Sequence, residues 1–233
     1  MFVPLYDKNP KEHIQIQYVT IALILANVIV FFIFQSNMVY QNSMASWASF
    51  ALVPSEFMPE GLIGPAIPGE NYDYVPIPEK LTLITYMFLH GDMLHLLGNL
   101  LFLWVFGDNI EDAMGHFQFL IFYLLCGIAA GLAHSFMVPS STMPLIGASG
   151  AIAGIIGAYL MLHPKVQVWV LVLGRIPLPV NAALAIIAWF LFQIFHVLFM
   201  SDGNTAWWAH IGGFVAGVIL ILFMRRRGVT LFN

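Results

Sequence analysis

The sequence predicts an all-α membrane protein: a single bundle of six transmembrane helices, with a short fourth helix that starts mid-membrane and a long outer loop between the first two helices. Two observations support this fold class. Of the 233 residues, 60% are apolar and only 9% are charged, which leaves too few charges to cover a soluble globule. Charged residues are also absent from three long stretches, residues 13–55, 113–164 and 203–224, which must contain the spanning helices.

Six apolar stretches account for the predicted helices. A helix needs roughly 20 apolar residues to cross the hydrocarbon core. Apolar stretches lie at residues 18–35, 83–106, 117–137, 149–162, 180–200 and 205–224, and all but the fourth are near this length. Residues 166–173 are also apolar, but they are few and are followed by Arg175 and two prolines, so we expect an interfacial or dipping segment. An even number of spans places both termini on one side of a single membrane domain, residues 1–233.

The basic residues predict the orientation. The N-tail (residues 1–17), the connection 163–179 and the C-tail (residues 225–233) carry seven of the eight lysines and arginines. The outer loop, defined as residues 36–82, carries only Lys80. The positive-inside rule then places both termini in the cytoplasm, and we expect a plasma or inner membrane. There is no basic patch for nucleic acid, and a single cysteine provides neither a disulfide framework nor a cysteine-rich metal site.

Strongly polar residues inside the predicted spans are candidates for function, because such groups are costly in the bilayer. In the second, fourth and sixth spans these candidates are His90, His95, Asn99, Ser149 and His210. All three spans enter from the side of the outer loop, so their polar residues are expected at similar depth. His95 and Asn99 are four residues apart and therefore lie on one helix face.

The short fourth span gives Ser149 a special position. A helix over residues 149–162 is about 21 Å long at 1.5 Å per residue, which is less than the roughly 30 Å of the hydrocarbon core. The preceding residues 144–148 must therefore dip into the membrane, and irregular backbone is tolerated there only against protein or a water-filled cavity. Ser149 then stands at a helix N-terminus, where free N–H groups favour a developing oxyanion.

Small residues recur every four positions in two spans, a spacing that lets helix backbones approach closely. They are Gly150, Gly154 and Ala158 in the fourth span and Ala209, Gly213 and Gly217 in the sixth. If these two faces meet, Ser149 and His210 come within reach of each other. Helix packing alone would explain the same glycines equally well.

Elimination favours a serine–histidine dyad as the chemistry of this cluster. A metalloprotease needs two histidines and a carboxylate at ligand spacing, as in HExxH, and an aspartyl site needs two buried carboxylates. The spans offer neither arrangement, and none contains a lysine for a Ser–Lys pair. Ser149 with His210 as its general base remains, with no buried aspartate to orient the imidazole. Such a dyad predicts activity that falls at acidic pH as His210 becomes protonated.

Four motifs resemble those of the rhomboid intramembrane serine proteases, and the resemblance covers nearly the whole chain. The motifs are GASG at 147–150, the series His90, His95 and Asn99, AHIGGFVAG at 209–217, and Gly107-x-x-x-Glu111-x-x-x-Gly115. Each motif is weak alone, but four in the right order on the right spans are specific. The resemblance implies a rhomboid-like bundle that cleaves transmembrane protein substrates within the lipid bilayer, with no metal or cofactor.

The resemblance also implies a role for each matching residue. Ser149 matches the nucleophile and His210 the general base. His95, Asn99 and the backbone N–H of Ser149 match the oxyanion-hole donors, while Glu111 matches a structural position at the cytoplasmic end of the second span. The remaining supporting positions are His90, Gly147, Gly150, Gly213 and Gly217.

Two departures from the family pattern and several alternatives stay open. The outer loop has no Trp–Arg pair, and Ala153 stands where some relatives carry a tyrosine that supports the histidine. Ser149 alone fits a helix-start residue, and His95 with Asn99 fits a structural hydrogen bond between helices. A catalytically inactive rhomboid-like protein would bind membrane clients without cutting them, although such proteins usually lack the serine or the histidine. A transporter would show broken helices in two repeats, and the sequence has one short helix and no visible repeat.

Overall fold

The computed structural model describes residues 3–39, 43–58, 77–172, 175–200 and 206–233. Its helices are α1 (Tyr18–Val30), α2 (Ser43–Phe50), α3 (Pro54–Phe57), α4 (Glu79–Thr85), α5 (Met93–Met114), α6 (His116–Met137), α7 (Ser149–Leu162), α8 (Ala182–Phe199) and α9 (Trp207–Met224). Its strands are β1 (Val3–Asp7), β2 (Gln167–Val172) and β3 (Ile176–Asn181). A π-helical turn over Phe31–Gln35 continues α1, and a 3₁₀ turn over Tyr86–Phe88 continues α4.

Five of the described helices are long and apolar enough to cross a membrane: α1 with its π-helical continuation, α5, α6, α8 and α9. The fourth predicted span is α7, which is apolar but has only 14 residues. Five of the six predicted spans agree closely with the bounds of a described helix. The charge-free stretches 13–55, 113–164 and 203–224 contain α6, α7, α9 and α1 with its π-helical continuation, whereas α5 and α8 lie outside them.

Both predicted bounds of the second span, residues 83–106, are wrong, because the long apolar helix here is α5, Met93–Met114. Residues 79–85 form the separate helix α4, and a 3₁₀ turn and an extended stretch separate it from α5. Asp92 begins α5, because its side-chain Oδ1 accepts a hydrogen bond from the backbone N–H of His95 at 2.8 Å. The sequence stays apolar on both sides of this break, so hydropathy placed the start of the helix too early.

The short helix α7 is enclosed by protein and packs most extensively against α9. A Cβ atom added to Gly213 would lie only 1.9 Å from the carbonyl oxygen of Gly150. One added to Gly217 would lie 2.0 Å from the carbonyl oxygen of Gly154. The two helix backbones are therefore in direct contact, and the predicted meeting of the two small-residue faces is present. Residues 150–159 are all buried, so α7 faces protein on every side.

A three-stranded antiparallel sheet, in the order β1-β2-β3, adjoins one end of the helical bundle. This sheet was not predicted from the sequence, and the expectation that residues 166–173 lie at the membrane interface or dip into the membrane stays a prediction. Val168 and Val170 are buried, whereas Gln167 and Trp169 are more exposed, which is the period-two alternation of a half-buried strand. The two prolines of β3 are tolerated because β3 is an edge strand.

Both ends of the chain lie at the same end of the bundle as the sheet. The N-terminal strand β1 pairs with β2, which follows α7 in the chain. The Asp112 carboxylate near the end of α5 accepts hydrogen bonds from the backbone N–H groups of residues 12–14 at 2.6–2.9 Å. At the C-terminus, the N–H of Asn233 donates to the carbonyl of Leu162 at 2.9 Å. The N-tail, the connection after α7 and the C-tail therefore share one side.

The outer loop is more regular than its proline and glycine content predicts. Helices α2 and α3 and the first part of α4 lie within it. Leu52 and Leu145 exchange two backbone hydrogen bonds, at 2.8 and 3.1 Å, so the loop is attached to the segment that precedes α7. The proline and glycine content of the loop predicts irregular structure, which stays a prediction for residues 40–42 and 59–76, because these lie outside the described residues.

Candidate active site

Ser149 and His210 lie side by side where α7 contacts α9. Ser149 is the first residue of α7, and His210 lies in the first turn of α9, three residues before Gly213. The Ser149 Oγ and His210 Nε2 atoms are 2.8 Å apart, which is a hydrogen-bond distance. The contact between Gly213 and Gly150 sets this distance, because it brings the two backbones together one turn from the side chains. A hydroxyl paired with an imidazole nitrogen is the arrangement that activates a serine.

The backbone before Ser149 requires a glycine. Gly147 has φ of +119°, a conformation that side chains rarely adopt. A Cβ atom at this position would also lie 2.7 Å from His95 Nε2. The Gly147 N–H donates to the carbonyl of Tyr86 at 2.9 Å, which fixes the turn that leads into α7. The first glycine of the GASG motif is therefore explained by both backbone conformation and space.

Ser149 is partly buried and lies beside the middle of α6. The residue next to Ser149, Gly150, faces Ala130 of α6, and a Cβ atom added to it would lie 2.6 Å from the Ala130 Cβ. Ala130 precedes the end of α6 at Met137 by two helical turns, which is about 10 Å at 1.5 Å per residue. The start of α7 therefore lies about 10 Å back along α6 from the end of that helix at Met137.

His95 and Asn99 lie one turn apart on α5 and approach the same point. Their Nε2 and Nδ2 atoms lie 2.7 and 3.6 Å from the position that a Cβ atom at Gly147 would occupy. His95 Nδ1 accepts a long hydrogen bond of 3.4 Å from the Gly91 N–H, which leaves the ring proton on Nε2. Asn99 Nδ2 is buried and has no hydrogen-bond partner among the described residues. Two N–H donors therefore face the backbone that leads into Ser149.

His90 contacts this cluster through His95. Its ring is fully buried and packs edge-on against the His95 ring, with 5.0 Å between the ring centroids. Its backbone N–H donates to Gln35 Oε1 at 3.0 Å. Within the described ranges the ring nitrogens of His90 have no hydrogen-bond partner, and no three His, Cys, Asp or Glu side chains are placed to hold a metal ion together.

One further side chain beside His210, that of Gln193 on α8, was not predicted from the sequence. This side chain is 1% exposed, and its Oε1 atom lies 2.8 Å from Nδ1 of His210. No partner for that nitrogen was expected. The signal was nevertheless present, because a glutamine inside an apolar span is as unusual as the histidines and Asn99 that were selected there.

Aromatic rings approach His210 although position 153 is an alanine. The Trp189 ring on α8 has its centroid 6.0 Å from that of His210, and the Trp207 ring lies edge-on at 6.2 Å. Both distances lie within the range of favourable ring pairs. Ala153 itself is fully buried in α7. The rings near the imidazole therefore come from α8 and α9.

Glu111 lies about 18 Å along α5 from Asn99, at 1.5 Å per residue, near the end where the chain termini meet. It is fully buried, and its carboxylate accepts hydrogen bonds from the N–H groups of Val19 and Thr20 at 2.9 and 2.8 Å. The Thr20 hydroxyl donates at 2.7 Å, and His116 Nδ1 lies 2.5 Å from the same carboxylate. The N–H groups belong to the first turn of α1, where an anion is favourable. Glu111 therefore joins α1 to α5 and α6.

Comparison with known proteins gives matches to one family. The Rhomboid domain family model matches residues 78–227. RHOMBOID-like protein 6, mitochondrial, from Arabidopsis thaliana is 31% identical over 152 residues, which cover 63% of this chain and 45% of that protein. Rhomboid-like protease 3 from Toxoplasma gondii is 31% identical over 145 residues, covering 62% and 51%. Rhomboid protease GluP from Bacillus subtilis is 44% identical over 78 residues, covering 34% and 15%.

The chain spans about half the length of the first curated relatives that it matches. The range matched by the family model contains α5 to α9, and with them Ser149, His210 and the side chains that surround them. Because that range is more than half of the 233 residues, the chain belongs to the rhomboid family.

Proposed function

We propose that this chain is an intramembrane serine protease that hydrolyses peptide bonds in or near the transmembrane segments of other proteins. The observation that carries the proposal is the 2.8 Å distance between Ser149 Oγ and His210 Nε2 within a bundle of apolar helices. A serine hydroxyl becomes an effective nucleophile when an adjacent base takes its proton. Two of the relatives, from Toxoplasma gondii and Bacillus subtilis, are named as proteases.

In the first step, His210 Nε2 accepts the proton of the Ser149 hydroxyl while the oxygen attacks the carbonyl carbon of the substrate. The carbonyl oxygen becomes an oxyanion. His95 Nε2–H, Asn99 Nδ2–H and the backbone N–H of Ser149 would donate hydrogen bonds to it. Asn99 Nδ2 has no hydrogen-bond partner in the part of the chain that the structure describes, which supports this role, because a buried donor without a partner is costly unless a bound group accepts its hydrogen bond.

In the following steps, protonated His210 gives its proton to the nitrogen of the leaving amine as the carbon–nitrogen bond breaks. The remaining acyl group is esterified to Ser149. A water molecule then loses a proton to His210 and attacks the ester carbonyl, which releases the acid and restores the hydroxyl. One imidazole thus serves as base and acid in turn, and no metal or cofactor takes part.

The proposed topology places the site toward the face that carries the outer loop. Seven of the eight lysines and arginines lie on the N-tail, the connection 163–179 and the C-tail, and the positive-inside rule assigns that side to the cytoplasm. Ser149 is set back from the end of α6 that lies on the non-cytoplasmic side. Water would therefore reach it through a cavity that opens on that side. A substrate helix would enter from the bilayer and unwind in that cavity.

The test is cleavage of a fluorescent single-span peptide, with Ala, Gly and Ser in one half of its span, by the purified protein in detergent and in liposomes. The wild type is expected to cut, and Ser149→Ala and His210→Ala are expected to fall to the background rate. A fluorophosphonate probe is expected to add to Ser149 in the wild type and much more slowly in His210→Ala, because the base is missing.

Thermal unfolding of each variant controls for folding. Cleavage by Ser149→Ala at the wild-type rate would refute the proposal. A folded wild type that neither cleaves the peptide nor reacts with the probe would do the same and would favour a rhomboid-like protein that binds membrane clients without cutting them.

A further inference from the structure

The second nitrogen of the His210 ring has a defined partner on a third helix. Gln193 lies on α8, and its Oε1 is 2.8 Å from His210 Nδ1. An amide oxygen only accepts hydrogen bonds, so the ring proton must be on Nδ1. Nε2 is then free of hydrogen and can accept the hydroxyl proton of Ser149 from 2.8 Å. The glutamine thus selects the tautomer in which His210 can act as a base.

The orientation of the Gln193 amide is itself set by the backbone of α8. Gln193 Nε2 donates a hydrogen bond of 3.2 Å to the carbonyl of Trp189, one turn earlier in the same helix. If the amide were reversed, its oxygen would face that carbonyl, and its NH₂ group would face His210 Nδ1. The ring proton would then move to Nε2 and point at Ser149, where it would block proton transfer. The Trp189 carbonyl therefore favours the productive arrangement.

The amide is also suited to its surroundings. Gln193 is 1% exposed inside a helix that is long and apolar enough to cross a membrane. An ionised carboxylate is expensive to bury there unless it is paired, whereas an amide with both ends hydrogen-bonded is tolerated. Among the described residues, the titratable groups that interact electrostatically with His210 are His95 on α5 and His134 on α6. Neither of them supplies an acceptor for Nδ1.

We propose that Gln193 is a positioning residue that holds the His210 ring and its tautomer, so that the active centre is a Ser149–His210–Gln193 relay with a neutral third member. This inference rests on the proposed protease function. The relay draws one residue from each of α7, α9 and α8, and α8 must therefore be in place for His210 to be a competent base. In soluble serine proteases an aspartate occupies the corresponding position.

The test compares Gln193→Leu and Gln193→Glu with the wild type in the peptide-cleavage assay, using the full-length protein. Gln193→Leu has a side chain of similar volume but no hydrogen-bond acceptor, so kcat is expected to fall about 10- to 100-fold. Losses of this size are found when the residue that hydrogen-bonds a metal-ligating histidine is removed. KM is expected to change little, because Gln193 contacts the imidazole and not the substrate. Gln118→Leu makes the same chemical change at an exposed position of α6 and is expected to leave kcat unchanged.

Gln193→Glu restores an acceptor for Nδ1 and adds a negative charge beside the ring. It is expected to recover most of the kcat that Gln193→Leu loses, and to move the acid side of the pH–rate profile to higher pH, because a carboxylate favours the protonated imidazole. A merely structural role would not move that profile. Wild-type kcat in folded Gln193→Leu, or a Gln193→Glu profile that overlays that of the wild type, would overturn the inference.

The two proposals fail in different ways. If Ser149→Ala and His210→Ala abolish cleavage while Gln193→Leu does not, the protease function stands and the positioning role of Gln193 falls. If the wild type itself does not cleave the peptide, the protease function fails first. The tautomer can then still be read from ¹⁵N NMR of histidine-labelled protein, with His210→Ala to assign the signal. Nδ1–H in the wild type and a mixed population in Gln193→Leu would support the role, and identical spectra would overturn it.

Discussion

Replacing Gly213 with alanine is expected to separate Ser149 from His210. Gly213 lies one turn after His210 on α9, and Gly150 follows Ser149 directly on α7. A Cβ atom at Gly213 would lie 1.9 Å from the Gly150 carbonyl oxygen and 2.9 Å from its carbonyl carbon. Both atoms belong to the helix backbone, so no side-chain rotation can relieve the overlap, and the two helices must move apart.

The size of the movement follows from the same contact. Cβ atoms essentially never approach a non-bonded heavy atom closer than 3.0 Å, so α9 must shift by at least about 1 Å relative to α7. A shift of that size would lengthen the 2.8 Å hydrogen bond between Ser149 and His210 beyond a useful distance. A misplacement of about 1 Å can cost about 100-fold in rate. The overpacking itself is expected to lower the free energy of unfolding by about 1–3 kcal/mol.

The assay is kcat for the single-span peptide, measured together with thermal unfolding in the same detergent. Gly213→Ala is expected to remain folded at the assay temperature and to lose about 100-fold in kcat. Gly98→Ala is the matched control: it adds the same methyl group to a glycine of α5 that has no atom within 4 Å of the new position. Gly213→Ala with a native unfolding profile and wild-type kcat would refute the claim that this backbone contact sets the geometry of the dyad.

Two further predictions concern the opposite end of the bundle. Glu111→Gln is expected to lower the free energy of unfolding by about 2–5 kcal/mol, because an NH₂ group replaces one of two buried acceptor oxygens and leaves buried donors without a partner. Chemical unfolding in detergent measures this loss. Glu12→Gln, the same exchange on an exposed residue, is expected to change the free energy of unfolding by less than about 0.5 kcal/mol. Equal effects of the two substitutions would contradict the anchoring role of Glu111. Burial raises the pKa of Asp7 above its ordinary value of 3.8, against the lowering effect of a hydrogen bond from Tyr159. The folded state therefore keeps a proton that the unfolded chain loses, so Asp7 makes stability fall as pH rises above 3.8. Asp7→Asn is expected to remove this fall. The free energy of unfolding of the variant, relative to that of the wild type, should then rise with pH above 3.8 and level off. Curves for the two proteins that stay parallel would show that folding does not change the pKa of Asp7.

The sequence was most informative where one physical requirement dominates. Apolar stretches with few or no charges located five of the six predicted helices, because a charge inside a span is costly. The predicted fourth span, residues 149–162, has the same bounds as α7, and its short length indicated that the helix starts mid-membrane. The contact of α7 with α9 followed from small residues at a four-residue spacing, a pattern that has few purposes besides close helix packing.

The missed features depend on competing or distant interactions. The break before α5 is made by Asp92, a single capping side chain in a run that is otherwise apolar. Strand β2 is built from an apolar run too short to distinguish from other buried segments, and its partner β1 lies more than 150 residues earlier in the chain. The role of Gln193 depends on which face of α8 turns toward His210, and hydropathy does not specify that face.

The two ends of the bundle satisfy their buried polar groups with different chemistry. At the end where the chain termini meet, the carboxylates of Glu111 and Asp112 are balanced by backbone N–H groups of the N-tail and of α1. On the far side of the His210 imidazole from Ser149, the group that accepts a hydrogen bond from Nδ1 is the neutral amide of Gln193. A carboxylate in that position would favour the protonated form of His210 and so reduce the fraction able to accept a proton. An uncharged acceptor fixes the ring without this penalty, which suits a base that must work inside a membrane, where an unpaired charge is costly.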